Sequence, residues 1–214
     1  MPSQAQNSFY EAETFDLGMV PVTYTAAGLG SAKYTAGVAY YSRLDPGALS
    51  FIDGYISALW SPGSGTAPTA YFGLYAAVPG TSGESNGSLY QLGATANVGA
   101  SAAGVIRAAL EVVGSTSTAL GDLGFPASGN PIGGVQSGSL YAALLVKTDA
   151  GTNHVDVATS TAFAANTIPN ADPTGQGGWP RAFHGAGSAL TALPLSEAIS
   201  GITAVNLIPW LAID

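Results

Sequence analysis

The chain has 214 residues, of which 47% are hydrophobic and 8% charged, with a net charge of −8 and no cysteine. That length suits one undivided all-β domain, the apolar share can supply a core, and the missing cysteines exclude disulfides, thiolate catalysis and cysteine metal sites. Lys33, Arg43, Arg107, Lys147 and Arg181 are scattered against thirteen acids, which excludes the clustered positive charge that a phosphate backbone requires.

The first residues, Met1-Pro2-Ser3-Gln4-Ala5-Gln6-Asn7, lack a basic n-region and a continuous apolar h-region, so no secretory signal is expected. No run has the length to span a bilayer, and no membrane insertion is expected. Residues 1–37 read as an extended arm. Phe9, Tyr10, Phe15 and Met19 stand there among Glu11, Glu13 and Asp16, too little apolar surface for a separate core. Ordering each residue costs about 1–2 kcal/mol, so these four are expected to pack on a neighbouring subunit or another protein, as in a closed homo-oligomer.

From Val38 the strand signals become regular, and residues 38–214 are expected to form the domain. Val38-Ala39-Tyr40-Tyr41-Ser42-Arg43-Leu44 is expected to end at a turn, Asp45-Pro46-Gly47. A second strand over residues 49–60 is interrupted at Asp53-Gly54, where a glycine signals a bulge or bend. Residues 71–113 then read as strand, turn, strand, turn, strand, with Asn86-Gly87 suited to a tight hairpin. The turn accounts for Asn86-Gly87-Ser88 better than a glycosylation sequon does. In the last of these strands Ile106, Ala108, Leu110 and Val112 alternate with Arg107 and Glu111, the period of a sheet with one buried face.

Residues 114–138 are loop-rich, although Leu120, Leu123 and Phe125 make an apolar patch there. Residues 139–148 read as a strong strand that turns into His154-Val155-Asp156-Val157-Ala158. Residues 159–187, with Pro169, Pro173 and Pro180, form the longest weakly patterned segment, and long loops of this kind are functional or packed as Ω-loops. The chain closes on residues 204–214, where Pro209 predicts an edge strand or a bulge. Short strands without a helical period predict an antiparallel β-sandwich, jelly-roll-like, with Ile106, Leu110, Leu140, Leu144 and Leu207 in its core.

Three constellations could carry chemistry. His154 and Asp156 share a strand face and, with His184, would imitate a two-His, one-carboxylate iron site, but no other feature points to an oxoacid pocket, so no metal or cofactor is expected. Serines and acids are available for a hydrolase, yet no Gly-x-Ser-x-Gly elbow nominates a nucleophile, and the acids are mostly isolated in turns; no catalytic residue is expected. In the long loop, Trp179, Arg181 and His184 are the candidates for ligand contact, because a ring stacks on a sugar face while Arg or His bonds its hydroxyls. The competing and preferred role for Trp179 and Phe183 is to pin the loop to the sandwich.

Several segments, read in order, resemble the C-terminal β-sandwich domain of minor tail proteins and tail fibres of actinobacterial phages. They are Tyr40-Tyr41-Ser42-Arg43-Leu44, Tyr71-Phe72-Gly73-Leu74-Tyr75, Leu89-Tyr90-Gln91-Leu92-Gly93-Ala94-Thr95-Ala96, Ser137-Gly138-Ser139-Leu140-Tyr141-Ala142-Ala143-Leu144-Leu145 and Gly187-Ser188-Ala189-Leu190-Thr191-Ala192-Leu193-Pro194, followed by a closing strand with Trp210. The resemblance implies a non-enzymatic structural protein of the virion, a homo-oligomer and by expectation a trimer, which contacts other virion proteins and a host cell-surface glycan. The short arm departs from those relatives, where the domain ends a much longer fibre, and leaves room for capsid decoration or a head fibre. Outside the virion, the alternatives are a glycan-binding module or a sandwich hydrolase.

Overall fold

The computed structural model describes residues 12–14, 24–25, 28–29, 34–46, 54–62, 69–78, 88–99, 104–112, 140–147, 155–157, 159–160, 182–205 and 207–213. Its strands in chain order are β1 (Ala12–Glu13), β2 (Tyr24–Thr25), β3 (Gly28–Leu29), β4 (Ala39–Arg43), β5 (Asp45–Pro46), β6 (Tyr55–Pro62), β7 (Thr69–Val78), β8 (Ser88–Ala94), β9 (Val98–Gly99) and β10 (Gly104–Ala109). There follow β11 (Glu111–Val112), β12 (Leu140–Lys147), β13 (Val155–Val157), β14 (Thr159–Ser160), β15 (Ala182–His184), β16 (Ser196–Ala198), a 3-10 turn (Ile199–Gly201), β17 (Thr203–Ala204), β18 (Ile208–Pro209) and β19 (Leu211–Ile213).

The expected all-β, sandwich-like architecture is what forms. A six-stranded sheet has the order β10-β6-β19-β1-β5, with β13 also on β6, and a nine-stranded sheet has the order β11-β8-β7-β12-β4-β15-β17, with β16 on β8 and β9 on β7. Every pairing among the described residues is antiparallel. Between the sheets lies an aliphatic core in which Ile56, Ala58, Leu211 and Ile213 from the first sheet meet Phe72, Leu74, Ala142 and Leu144 from the second. Of the expected core residues Leu110, Leu140 and Leu144 are buried, while Ile106 and Leu207 pack against this cluster half-buried. The alternation along β10 is as expected, with Ile106 and Ala108 turned inward and Val105, Arg107 and Ala109 exposed.

Two fully buried leucines mark places where the chain passes from one sheet to the other within a single residue. Leu44 separates β4, in the second sheet, from β5, in the first, and Leu110 separates β10, in the first, from β11, in the second. Each kink is held by a backbone bond, Leu44 N–H to Leu140 O at 3.0 Å and Leu110 N–H to Gly54 O at 2.7 Å. Burial of the side chain and the bond together hold the crossing. The turn expected at Asp45-Pro46-Gly47 is therefore corrected for its first two residues, which pair with β1. Gly54 does mark a bend, with φ at +84° immediately before β6.

Pro209 lies on an edge strand, as expected, whereas the residues after it do not. It falls in the two-residue β18, which pairs with β14, so its missing N–H breaks no bond of the six-stranded sheet. The strand after it, β19, lies inside that sheet between β6 and β1 rather than at an edge.

Within the segment expected as an arm, residues 12–14 belong to the sandwich. β1 lies between β19 and β5, and the fully buried Thr14 locks it there. Its hydroxyl donates to Pro209 O at 2.6 Å and accepts from Leu211 N–H at 3.0 Å, while its own N–H donates to Leu211 O at 2.9 Å. Next to it Trp210 Nε1 donates to Glu13 Oε2 at 3.0 Å. The expected contacts Phe9, Tyr10, Phe15 and Met19 lie outside the described residues. Thr14→Val keeps the shape but leaves a buried carbonyl and a buried N–H without their hydroxyl, so it is expected to cost about 1–3 kcal/mol. Urea unfolding followed by tryptophan fluorescence measures the loss.

Candidate functional site

The second sheet is apolar on both faces. Period-two alternation sends Tyr40, Leu74, Ala142 and Leu144 inward and places Tyr41, Tyr75, Tyr141, Ala143 and Leu145 on the outer face. Register then gathers the outer rings, because Tyr75 lies opposite Tyr141, and Tyr41 lies opposite both Ala143 and Phe183. Tyr41 meets Tyr75 edge to face at 5.1 Å and stacks on Phe183 at 5.1 Å, and Tyr141 lies 5.4 Å from Phe183. These are favoured aromatic geometries, worth about 0.5–1.5 kcal/mol per pair beyond the burial itself.

Residues 185–202 cover this face as a strap. Gly185 N–H donates to Ala39 O at 3.0 Å and Leu190 N–H to Gly37 O at 2.8 Å, near one edge of the sheet. The strap then crosses to the far side, where Leu195 O accepts from Gln91 N–H at 3.0 Å and β16 pairs with β8. It returns to pair Thr203 with His184. The strap thus leaves and re-enters the sheet at one pair of residues, as an Ω-loop does. Midway the buried Leu193 fills the space left by Gly73, where an added Cβ would stand 2.8 Å from Leu193 Cδ1. Ala189 sits at φ +60°, its Cα against Gly37, itself at φ +76° with no room for a side chain.

Polar groups under the strap are arranged for holding. The Tyr75 hydroxyl donates to Pro194 O at 2.6 Å and accepts from Gln91 Nε2 at 3.0 Å. Glu197 folds back over Gly185, its Oε1 accepting from Ala186 N–H at 3.1 Å. The Tyr41 hydroxyl is fully buried and has no hydrogen-bond partner among the described residues, although Tyr75 and Glu197 are near enough to act on it electrostatically. Burial raises the Tyr41 phenol far above its ordinary range, helped by Tyr75 and Glu197. Burial likewise raises Tyr75, against the opposing effect of the bond from Gln91 and of the nearby Tyr41 hydroxyl. Both phenols therefore stay protonated at neutral pH, Tyr75 donating to the strap and Tyr41 serving as a packing surface.

Of the residues singled out for ligand contact, His184 is at hand, while Trp179 and Arg181 lie outside the described residues. His184 stands half-buried on β15 beside Tyr40, ring centroids 6.0 Å apart, and Tyr40 in turn meets Tyr34 at 4.8 Å. Its Nδ1 is 2.8 Å from Gly185 O. A carbonyl can only accept, so Nδ1 carries the proton and Nε2 is left to accept when the ring is neutral. His154 lies outside the described residues, and Asp156 is on β13 in the first sheet whereas His184 is in the second. Phe183, expected to pin the loop, is fully buried in the aromatic cluster.

The sequence reading missed Tyr41, Tyr75, Gln91 and Glu197. The tyrosines were visible in Tyr40-Tyr41 and Tyr71-Phe72-Gly73-Leu74-Tyr75 as rings at strand positions opposite the aliphatic ones, but a one-faced sheet gave them no partner. It also missed the cation–π pair on the first sheet, where Arg107 Cζ lies 3.6 Å from the centroid of the half-exposed Tyr55. No protein-family model, curated protein or solved structure matches this chain.

The two tyrosines should respond oppositely to loss of the hydroxyl. Tyr75→Phe strands the Pro194 carbonyl and is expected to cost about 1–3 kcal/mol, while Tyr41→Phe removes an unpaired buried hydroxyl and should be neutral or stabilising. Paired urea titrations check both. Because the folded state holds these protons more tightly than the unfolded chain, their contribution is complete below about pH 10 and is lost as pH rises beyond it. Alkaline unfolding with simultaneous tyrosine ionisation, read by absorbance, is the expected result. Gly73→Ala should displace Leu193 and expose the strap to protease while the sandwich core stays folded, which limited proteolysis with mass spectrometry reads directly.

Proposed function

We propose that this chain is a structural protein of a bacteriophage virion, of the minor-tail or tail-fibre type, whose β-sandwich is exposed and contacts the host surface. The observation that carries the reading is where the segments resembling that family fall. The described residues of four of them fall in or directly after β4, β7, β8 and β12, the fifth lies in the strap that covers those strands, and the closing strand with Trp210 runs into β19 of the facing sheet. Segments scattered over 150 residues of sequence thus form one packed unit, as a resemblance reflecting a shared fold requires. The chemistry of that unit agrees. Its buried tyrosines are kept protonated and engaged in packing, and its strap is tied down at both sides of the sheet.

In this reading the protein acts as a homo-oligomer, by the fibre resemblance a trimer, attached to other virion proteins. The sparsely charged, hydroxyl-rich sequence suits contact with a neutral host glycan through stacking and hydrogen bonds rather than ion pairs. Antibodies against the purified chain should decorate the tail of intact particles by electron microscopy. Decoration of the capsid would move the protein to a decoration or head-fibre role. Its absence from purified particles would overturn the virion reading and return the glycan-binding module and the hydrolase, which binding to cells and turnover of cell-wall polysaccharide would separate.

A further inference from the structure

We infer that the gap between β5 and β19 is a strand-acceptor site, and that in the assembled protein it is filled by residues 12–14 of a second copy of this chain. The gap is built to recognise an extended peptide. It offers the backbone of Ala212 and Ile213 on one side and of Asp45 and Pro46 on the other. It reads two side chains: a hydroxyl, bonded at once to Pro209 O and Leu211 N–H, and a carboxylate, bonded to Trp210 Nε1. A hydroxyl that both donates and accepts inside the buried sheet distinguishes threonine from valine of the same shape.

The contacts described for this peptide are with distant parts of the chain. Its bonds on the β19 side join residues 195–197 positions apart in sequence, and no hairpin connects β1 to either neighbour. Its covalent tie to the next strand, β2, is residues 15–23, which extended would reach roughly 30 Å at about 3.3–3.6 Å per residue. A tie of that reach permits entry into the same gap of a copy packed within it. The contacts made would be identical, which is why exchange of an identical element is a low-cost route to an oligomer. Closure within one chain is favoured at dilution, and packing of copies raises the effective concentration that favours exchange. The inference rests on the reading of this chain as an assembling subunit.

The absence of native cysteine makes a direct test possible. Glu13 and Ala212 are directly opposite, and the neighbouring bond from Thr14 N–H to Leu211 O makes theirs a non-hydrogen-bonded pair, with Cα atoms about 4.5 Å apart, within the range a disulfide spans. The full-length chain carrying both Glu13→Cys and Ala212→Cys is oxidised in dilute solution and in its assembled form, then run without reductant. A bond within one chain at dilution, with covalently linked dimers or larger rings as the main product on assembly, is the expected result. Linkage confined to single chains in the assembled form, or a chain that stays monomeric at every concentration and in particles, overturns the inference. Should the double variant not fold, isotope-filtered NMR on a mixture of labelled and unlabelled natural chain decides instead: contacts between Thr14 of one copy and Leu211 of another are expected, and their absence in the oligomer refutes exchange. Failure of exchange in particles that contain the protein leaves the virion reading intact, whereas absence from particles removes that reading without deciding exchange in solution.

Discussion

All seven residues of β12 from Leu140 to Val146 are buried, so the second sheet has no face to give to water. A strand at the centre of a sheet covered on both sides is expected to read as a continuous apolar run, and Leu140-Tyr141-Ala142-Ala143-Leu144-Leu145-Val146 does. Two covers are then obligatory. The first sheet supplies one, closing an aliphatic core over Phe72, Leu74 and Leu144. The strap supplies the other, bringing Leu190, Leu193 and Ile202 over an aromatic layer. The molecule is in effect three layers made from two sheets.

The two cores differ in chemistry because their covers differ. The first sheet meets the inner face with Ile56, Ala58, Leu211 and Ile213, which pack on Phe72 and on Leu74 and Leu144. Under the strap the outer face presents large rings, Tyr41, Tyr75, Tyr141 and Phe183, packed with Leu190, Leu193 and Ile202. Rings with hydroxyls also provide bonds to the strap backbone, as Tyr75 does to Pro194. The unpaired Tyr41 hydroxyl is the local cost of using tyrosine at a position where its stacking on Phe183 is what matters.

Two of the connections between the sheets are single-residue crossings. Leu44 and Leu110 each allow one continuous run of chain to serve both sheets, so the aliphatic core is tied at two points by covalent backbone. By contrast β1 joins β19 across nearly the whole length of the chain, held by a hydroxyl, a carboxylate and a few backbone bonds. Elements fixed by neighbouring chain and elements fixed by chemical recognition thus coexist in one sheet. Only the second kind can be supplied from elsewhere.

The sequence by itself determined the strand-rich class and the alternation along β10, because period-two patterning and turn residues act locally. It placed Leu110, Leu140 and Leu144 in the core for the same reason. What it could not determine was anything that depends on which strand lies beside which. Asp45-Pro46 has the composition of a turn, and only the presence of Ala12–Glu13 across from it makes it a strand. Residues 185–202 carry no strong period, and only the apolar outer face of the second sheet makes them a cover. Tyr41, Tyr75, Tyr141 and Phe183 come from four separate segments, and register alone gathers them. Tertiary structure decided these points because each rests on contacts between residues far apart in the chain, where local propensity is silent.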